Sequence, residues 1–268
     1  MSGWDDLQVE LDAWAERSET AIMWWRDDDA VDSTPALDRL LALAEQCSAP
    51  VALAVIPGRL ASGLARRMSA PRDSIGVVQH GFAHRNHAPA GEKRVELGAD
   101  RPLAATCEEL ARGAARLAAA FGDLALPVLV PPWNRIAEEF VPKLPGIGFA
   151  GLSLYRARAA AFPTAGLVQA NCHVDIVGWR PRPAFLGEAA ALDLLLDHLQ
   201  ARRRGMADPA EPTGLLSHHL VHDEASWGFL RRLLTTLVRH PAVRLTCASE
   251  VFGCQGPSTS IAFDSRTA

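Results

Sequence analysis

The chain has 268 residues, of which 49% are hydrophobic and 22% charged, and a formal net charge of −4. That length suits one large α/β domain better than two small ones. The ordinary composition excludes a disordered or fibrous chain, and the absence of a basic stripe argues against a nucleic-acid partner.

The N-terminus, Met1-Ser2-Gly3-Trp4-Asp5-Asp6, has neither a basic segment nor an apolar run of the kind that directs export. No later run is apolar and long enough to span a bilayer, so no membrane partner is expected. Cys47, Cys107, Cys172, Cys247 and Cys254 are odd in number and widely spaced, with no CxxC pair. This fits a reduced compartment, and the cytoplasm is the expected location.

Trp4, Leu7, Leu11 and Trp14 recur at helical spacing and predict an amphipathic lead-in helix over 4–16, with the Trp stripe as packing surface. From Ala21 onward strand and helix patterns alternate. Strands are predicted near 21–26, 50–56, 75–80, 126–130, 149–154, 166–172, 214–218 and 243–247. One helix begins after Thr34 with Pro35 in its first turn, and another has Thr106 and Glu109 at capping-box spacing and stops at Gly122. A third spans 187–204, closed by Arg202-Arg203-Arg204 where cations suit the helix dipole, and a fourth spans 224–239. Such alternation implies a parallel sheet, and seven or eight strands imply a barrel or a close relative. No repeat or linker divides the chain, so residues 1–254 read as a single domain and 255–268 as a disordered tail. The polar connection over 85–103 is either a solvated loop or a substrate-binding wall.

His80-Gly81-Phe82-Ala83-His84 follows the apolar run Ile75-Gly76-Val77-Val78-Gln79, so two imidazoles arrive where a parallel strand leaves the sheet. Four positions apart on one side of a turn, both rings can reach one ion. Asp27-Asp28-Asp29 ends the first strand. Burying adjacent carboxylates is costly unless cations or protons compensate, and the plainer reading is a solvated turn that caps the next helix. Both clusters lie at carboxyl ends of strands. One Asp with two His makes a three-ligand set for a catalytic zinc with a position open for water, and a second carboxylate beside it can act as general base.

Asp28-Asp29 followed by His80-x-x-x-His84 resembles the first two motifs of the NodB-type polysaccharide deacetylases, carbohydrate esterase family 4. Pro131-Pro132-Trp133 resembles the third motif, Asp175 with Trp179 the fourth, and Leu215-Leu216-Ser217-His218 the fifth, in the family's order. The resemblance implies a deformed (β/α)7-8 barrel and a zinc-dependent deacetylase acting on an N-acetylated sugar or similar small molecule. It places one divalent ion, expected to be zinc, on Asp29, His80 and His84. It assigns the base to Asp28, an oxyanion contact to the backbone N–H of Trp133, and the general acid to His218, kept cationic by Asp175.

The sequence departs from that pattern in several places. Val130 stands where the third motif opens with an Arg that pairs with the catalytic Asp, and Arg135 or Arg180 could replace it. Arg26-Asp27 stands where the family has Thr-Phe, so a slip of one position would make Asp27 the base. Ala30 replaces the first motif's Gly. Strand alternation sends His218 and His219 to opposite sides, and the motif favours His218 for the site. His87 is a residue near the ion or simply part of the loop. A non-catalytic carbohydrate-binding or regulatory protein that kept the barrel is the alternative, supported by the missing Arg.

Overall fold

The computed structural model describes residues 2–68 and 74–254; the expected tail over 255–268 lies outside the described residues. Its strands are β1 (Ala21–Ala30), β2 (Val51–Val55), β3 (Ile75–His80), β4 (Ala125–Val130), β5 (Gly151–Leu152), β6 (Val168–Gln169), β7 (Val174–Asp175), β8 (Val177–Gly178), β9 (Ala184–Phe185), β10 (Thr213–Ser217) and β11 (Val243–Leu245). The main sheet runs β6-β5-β4-β3-β2-β1-β10-β7, with β11 on the first half of β1, and every pairing in it is parallel. It curls into the expected deformed (β/α) barrel. The short antiparallel ribbon of β8 and β9 stands apart from it.

Helices α1 (Trp4–Glu16), α2 (Pro35–Gln46), α3 (Ser62–Arg67), α4 (Leu103–Phe121), α5 (Glu188–Arg203), α6 (Glu224–Arg239) and α7 (Ala248–Val251) flank the sheet. The lead-in helix buries Leu7, Leu11 and Trp14 and packs on α5, so its Trp stripe is packing surface. Thr34 caps α2, its Oγ1 accepting from the Leu37 N–H at 3.1 Å, an arrangement worth about 1 kcal/mol. Asp223 caps α6 in the same way. The capping box expected at Thr106 is absent. α4 starts three residues earlier, and Thr106 is buried inside it, donating its hydroxyl to the Pro102 carbonyl. Glu109 pairs instead with Arg101.

The strands expected over 149–154 and 166–172 shrink to two residues each, and β7 was not anticipated. Two-residue strands are too short to show alternation. Alternation along β1 organises the core: Met23 and Trp25 face the helices, while Trp24 packs inside the barrel with Val78, Val128 and Phe252. No helix among the described residues is long and apolar enough to cross a membrane.

Candidate metal centre and active-site cleft

Period two also separates the three acids of β1. Asp27 continues the Trp25 face, where its carboxylate accepts from the Ser217 hydroxyl at 2.6 Å and the His219 backbone N–H at 3.0 Å and meets His219 Nδ1 at 2.5 Å. Asp28 continues the Trp24 and Arg26 face and enters the barrel mouth. The third would point back toward the helices, but β1 loses register with β2 between Asp27 and Ala30, and Asp29 takes a left-handed backbone (φ 72°). That irregularity turns Asp29 toward the histidines.

His80 ends β3. Its Nδ1 lies 3.0 Å from the Val130 carbonyl, which can only accept, so Nδ1 carries a proton and Nε2 is the ring nitrogen left to ligate an ion from the neutral imidazole. Nε2 is 3.3 Å from Asp29 Oδ1, and His84 Nε2 is 3.4 Å from the same oxygen. These separations are long for hydrogen bonds. They match the ~3.3 Å between ligand atoms around a tetrahedral zinc with bonds of ~2.0–2.1 Å. Asp29 Oδ1 is moreover buried with no hydrogen-bond partner among the described residues. The set therefore fits a divalent ion. Burial alone would raise the Asp29 pKa, but His80, His218 and His84 more than offset it and hold the carboxylate well below its ordinary range. Burial pushes the His84 imidazole down, and a proton on neighbouring His80 would push it further the same way.

The loop carrying His84 is held by Glu96, a residue no sequence motif singled out. Its carboxylate accepts from the backbone N–H groups of Phe82 and Ala83 at 3.1 and 2.8 Å. Gly81 precedes them in a left-handed conformation (φ 55°), and a Cβ there would sit 2.0 Å from Glu96 Oε2. Only glycine leaves room for this clamp.

A cleft of about 1130 Å³ opens over these groups. Asp28, His218, Asp175, Trp133, Trp179, Arg135 and Arg180 all line it, with Gly91–Arg94 of the polar connection as one wall. His218 Nε2 lies 4.0 Å from Asp28 Oδ2, and the Trp179 ring meets the imidazole edge-on at 4.6 Å. Trp133 packs against His84 with ring centroids 4.4 Å apart, its own backbone left-handed (φ 56°). The expected pairing of His218 with Asp175 is absent. The Asp175 oxygens accept from the Val177 N–H at 3.0 Å and from Trp179 Nε1–H at 2.8 Å, and His218 Nδ1 has no hydrogen-bond partner among the described residues. The turn after β7 brings those two donors nearer than His218 comes. Burial raises the Asp175 pKa, partly offset by the His218 charge. Asp27, His219 and His87 do not line the cleft; His87 belongs to the loop, its backbone N–H bonded to Val95.

A second group of potential ligands, His173, His198 and Glu211, lies near the opposite end of β10. The two imidazoles stack face to face with centroids 3.3 Å apart and 14° between planes. Their in-plane lone pairs therefore run side by side and do not converge on one ion. The group is a buried polar brace: His173 Nδ1 accepts from the Gly214 N–H, and His198 Nδ1 meets the Thr213 hydroxyl.

No protein-family model matches the chain, and no curated protein matches it by sequence. Solved structures match it in fold. The Bc1960 peptidoglycan N-acetylglucosamine deacetylase superposes with a TM-score of 0.58 at 13% identity, over 92% of this chain and 99% of the other. A family 4 carbohydrate esterase from Streptomyces lividans, solved with acetate, gives 0.56 at 14% identity, over 89% and 98%. The fold is that of the family 4 carbohydrate esterases. A mutant of BA3943, a pseudoenzyme of that family with restored activity, shares it at a TM-score of 0.55 and 14% identity, over 87% and 68%.

A guanidinium does reach Asp28, and it comes from β1 rather than from position 130. Arg26 is fully buried two residues before Asp28, on the same face of the strand. Its Nε lies 2.8 Å from Asp28 Oδ1 and its Nη2 donates to Oδ2 at 3.0 Å. Nη1 donates to Ser153 Oγ at 2.7 Å and Nη2 also to Asn134 Oδ1 at 2.8 Å. Burial acts to lower the Arg26 pKa, and the Asp28 charge outweighs it. Arg135, expected as a replacement, instead donates to the Arg94 carbonyl; neither it nor Arg180 forms an ion pair with Asp28.

Proposed function

We propose that the chain is a zinc-dependent hydrolase that removes an N-acyl group, acetyl in the simplest case, from an amino sugar or a related small amine. The observation that carries this reading is the placement of Asp28 between the Arg26 guanidinium and His218 Nε2, beside the Asp29–His80–His84 set. Held at those three residues, a divalent ion supplies Lewis acidity toward the acyl carbonyl and makes water a stronger acid.

The chain's own residues supply the rest. Asp28, oriented by its ion pair and hydrogen bond with the Arg26 guanidinium, accepts the proton of the attacking water. His218, across the cleft from Asp28, gives a proton to the departing nitrogen. The backbone N–H of Trp133, on a left-handed turn at the cleft wall, serves the developing oxyanion. Trp179 orients His218 through its ring contact and is itself anchored by Asp175. The non-catalytic alternative rested on the missing third-motif Arg, and the Arg26 guanidinium beside Asp28 favours the catalytic reading over it.

Residues 1–254 act as one catalytic unit on this reading. A reducing, cytoplasmic setting fits five cysteines that are all unpaired. The test is acetate release from a panel of N-acetylated amino sugars before and after chelation, with zinc restored afterwards. Release that stops with chelator and returns with zinc is the expected result. Release indifferent to chelation, or none from any acylated amine by the zinc-loaded protein, overturns the proposal.

A further inference from the structure

The cleft is far more cationic than the protein that contains it. Lys93 and Arg94 from the polar connection, Arg135 after β4, Arg156 after β5 and Arg180 after β8 all line it, in a chain whose net charge is −4. Elsewhere on the surface, arginines find carboxylates, as Arg39 does with Glu224, Arg67 with Asp38 and Arg203 with Glu10. Among the described residues none of the five cleft cations forms an ion pair. The opposing carboxylates are otherwise engaged: Asp28 with Arg26, Asp29 with the histidines, and Asp175 with Trp179. Glu92 alone is left at the rim.

Arg156 is also held in place. Its backbone is left-handed (φ 75°), a conformation that non-glycine residues keep only when their surroundings impose it. The constraint comes from the Cys172 carbonyl, which accepts the Arg156 N–H at 2.8 Å, and from Asn171 Nδ2, which donates to the Arg156 carbonyl at 2.8 Å. Asn171 is itself buried and accepts the Leu154 N–H at 2.9 Å. An exposed arginine on so fixed a backbone, among other unpaired cations, is a prepared contact for an anion.

We propose that the acylated amine taken by this cleft carries an oxyanion, a phosphate or a carboxylate, bound by Arg156 and Arg180 with the remaining three cations focusing the potential around it. This rests on the hydrolase reading for the acyl group and adds the charge of the molecule that bears it. A guanidinium fork matches either oxyanion with two parallel hydrogen bonds, and a cationic cleft raises the local concentration of an anionic substrate.

Calorimetry on the full zinc-loaded chain compares N-acetylglucosamine 1-phosphate and an N-acetylated amino-sugar uronic acid with neutral N-acetylglucosamine. Tighter binding of at least one charged sugar, by roughly tenfold or more and weakening with added salt, is expected. Which one binds more tightly distinguishes phosphate from carboxylate. In Arg156→Glu and Arg180→Glu the ratio of charged to neutral affinity should collapse toward one. A phosphate held by the ion alone would keep its advantage in both variants, and that result overturns the proposal, as does equal affinity for neutral and charged sugars in the parent. Because binding is read without turnover, a charged-sugar preference without acetate release would sink the hydrolase reading and leave the anion site standing. Equal acetate release and equal binding for neutral and charged sugars would do the reverse.

Discussion

Replacing Arg26 by Met keeps most of the side-chain volume and removes the guanidinium. Asp28, 2% exposed, then loses its only ion-pair partner of fixed charge among the described residues, and the Ser153 and Asn134 oxygens each lose a donor. Removing one member of a buried ion pair costs ~3–5 kcal/mol, chiefly because the remaining charge is left unpaired. A domain of this kind is stable by only ~5–15 kcal/mol, so the variant should fold with a clearly lower urea midpoint. Adding Asp28→Asn removes the orphaned charge and should restore ~2–3 kcal/mol of the loss, an interaction term that a double-mutant cycle isolates. Salt should alter the single-variant penalty little, since the pair is shielded from solvent. Urea titrations of parent, both single variants and the double variant, followed by circular dichroism, give the numbers. The same Arg26→Met protein should lose ~10²–10⁴ in kcat/KM, because its base is no longer oriented. If Arg26→Met lies within the ~0.5 kcal/mol of an ordinary surface change, or if the double variant is no more stable than the single, the pairing does not hold Asp28 and the reasoning fails.

His84→Ala should lose most bound zinc by elemental analysis while keeping its circular dichroism spectrum; undiminished metal would reassign the ligands. Asp28→Asn should retain zinc and lose ~10²–10⁴ in rate, whereas Asp27→Asn should act mainly on stability, by ~1–3 kcal/mol, through His219 and Ser217. The opposite ranking of their rates would make Asp27 the base. Burial pushes His173 down from 6.5 to about 4, and Glu211, although burial would raise it, is brought from 4.5 to about 2 by His173 and His198. For both groups the unfolded chain binds protons at higher pH than the folded one, so their stabilisation is present above the unfolded values and is lost as pH falls. The urea midpoint should therefore drop from pH 6.5 toward 4, and drop less in His173→Gln; an identical acid slope in the two proteins would show that the brace does not titrate.

Much of the site was legible because its signals are local. The ends of β1 and β3 are marked by apolar runs that stop at Asp27-Asp28-Asp29 and His80, and a four-residue spacing is enough to bring His84 back beside His80. The role of Arg26 was available too, since alternation puts it on the face of Asp28, but a motif that expects the cation near residue 130 draws attention away from it. Glu96 carried no signal, because an acidic residue in a polar loop looks solvated until the loop folds back over it.

The sequence by itself determined the alternation of strands and helices, the barrel it implies, and the strand ends at which ligand-type residues gather. Those follow from periodicity and caps, interactions between residues a few positions apart. Tertiary structure alone decided which of these residues meet. Asp27 is taken by His219 from 192 positions away, Asp175 turns to Trp179 instead of His218, and five cations from four loops come to face one cleft. Contacts of that kind depend on register, on a bulge of one residue in β1 and on side-chain rotamers, and no local pattern in the chain records them.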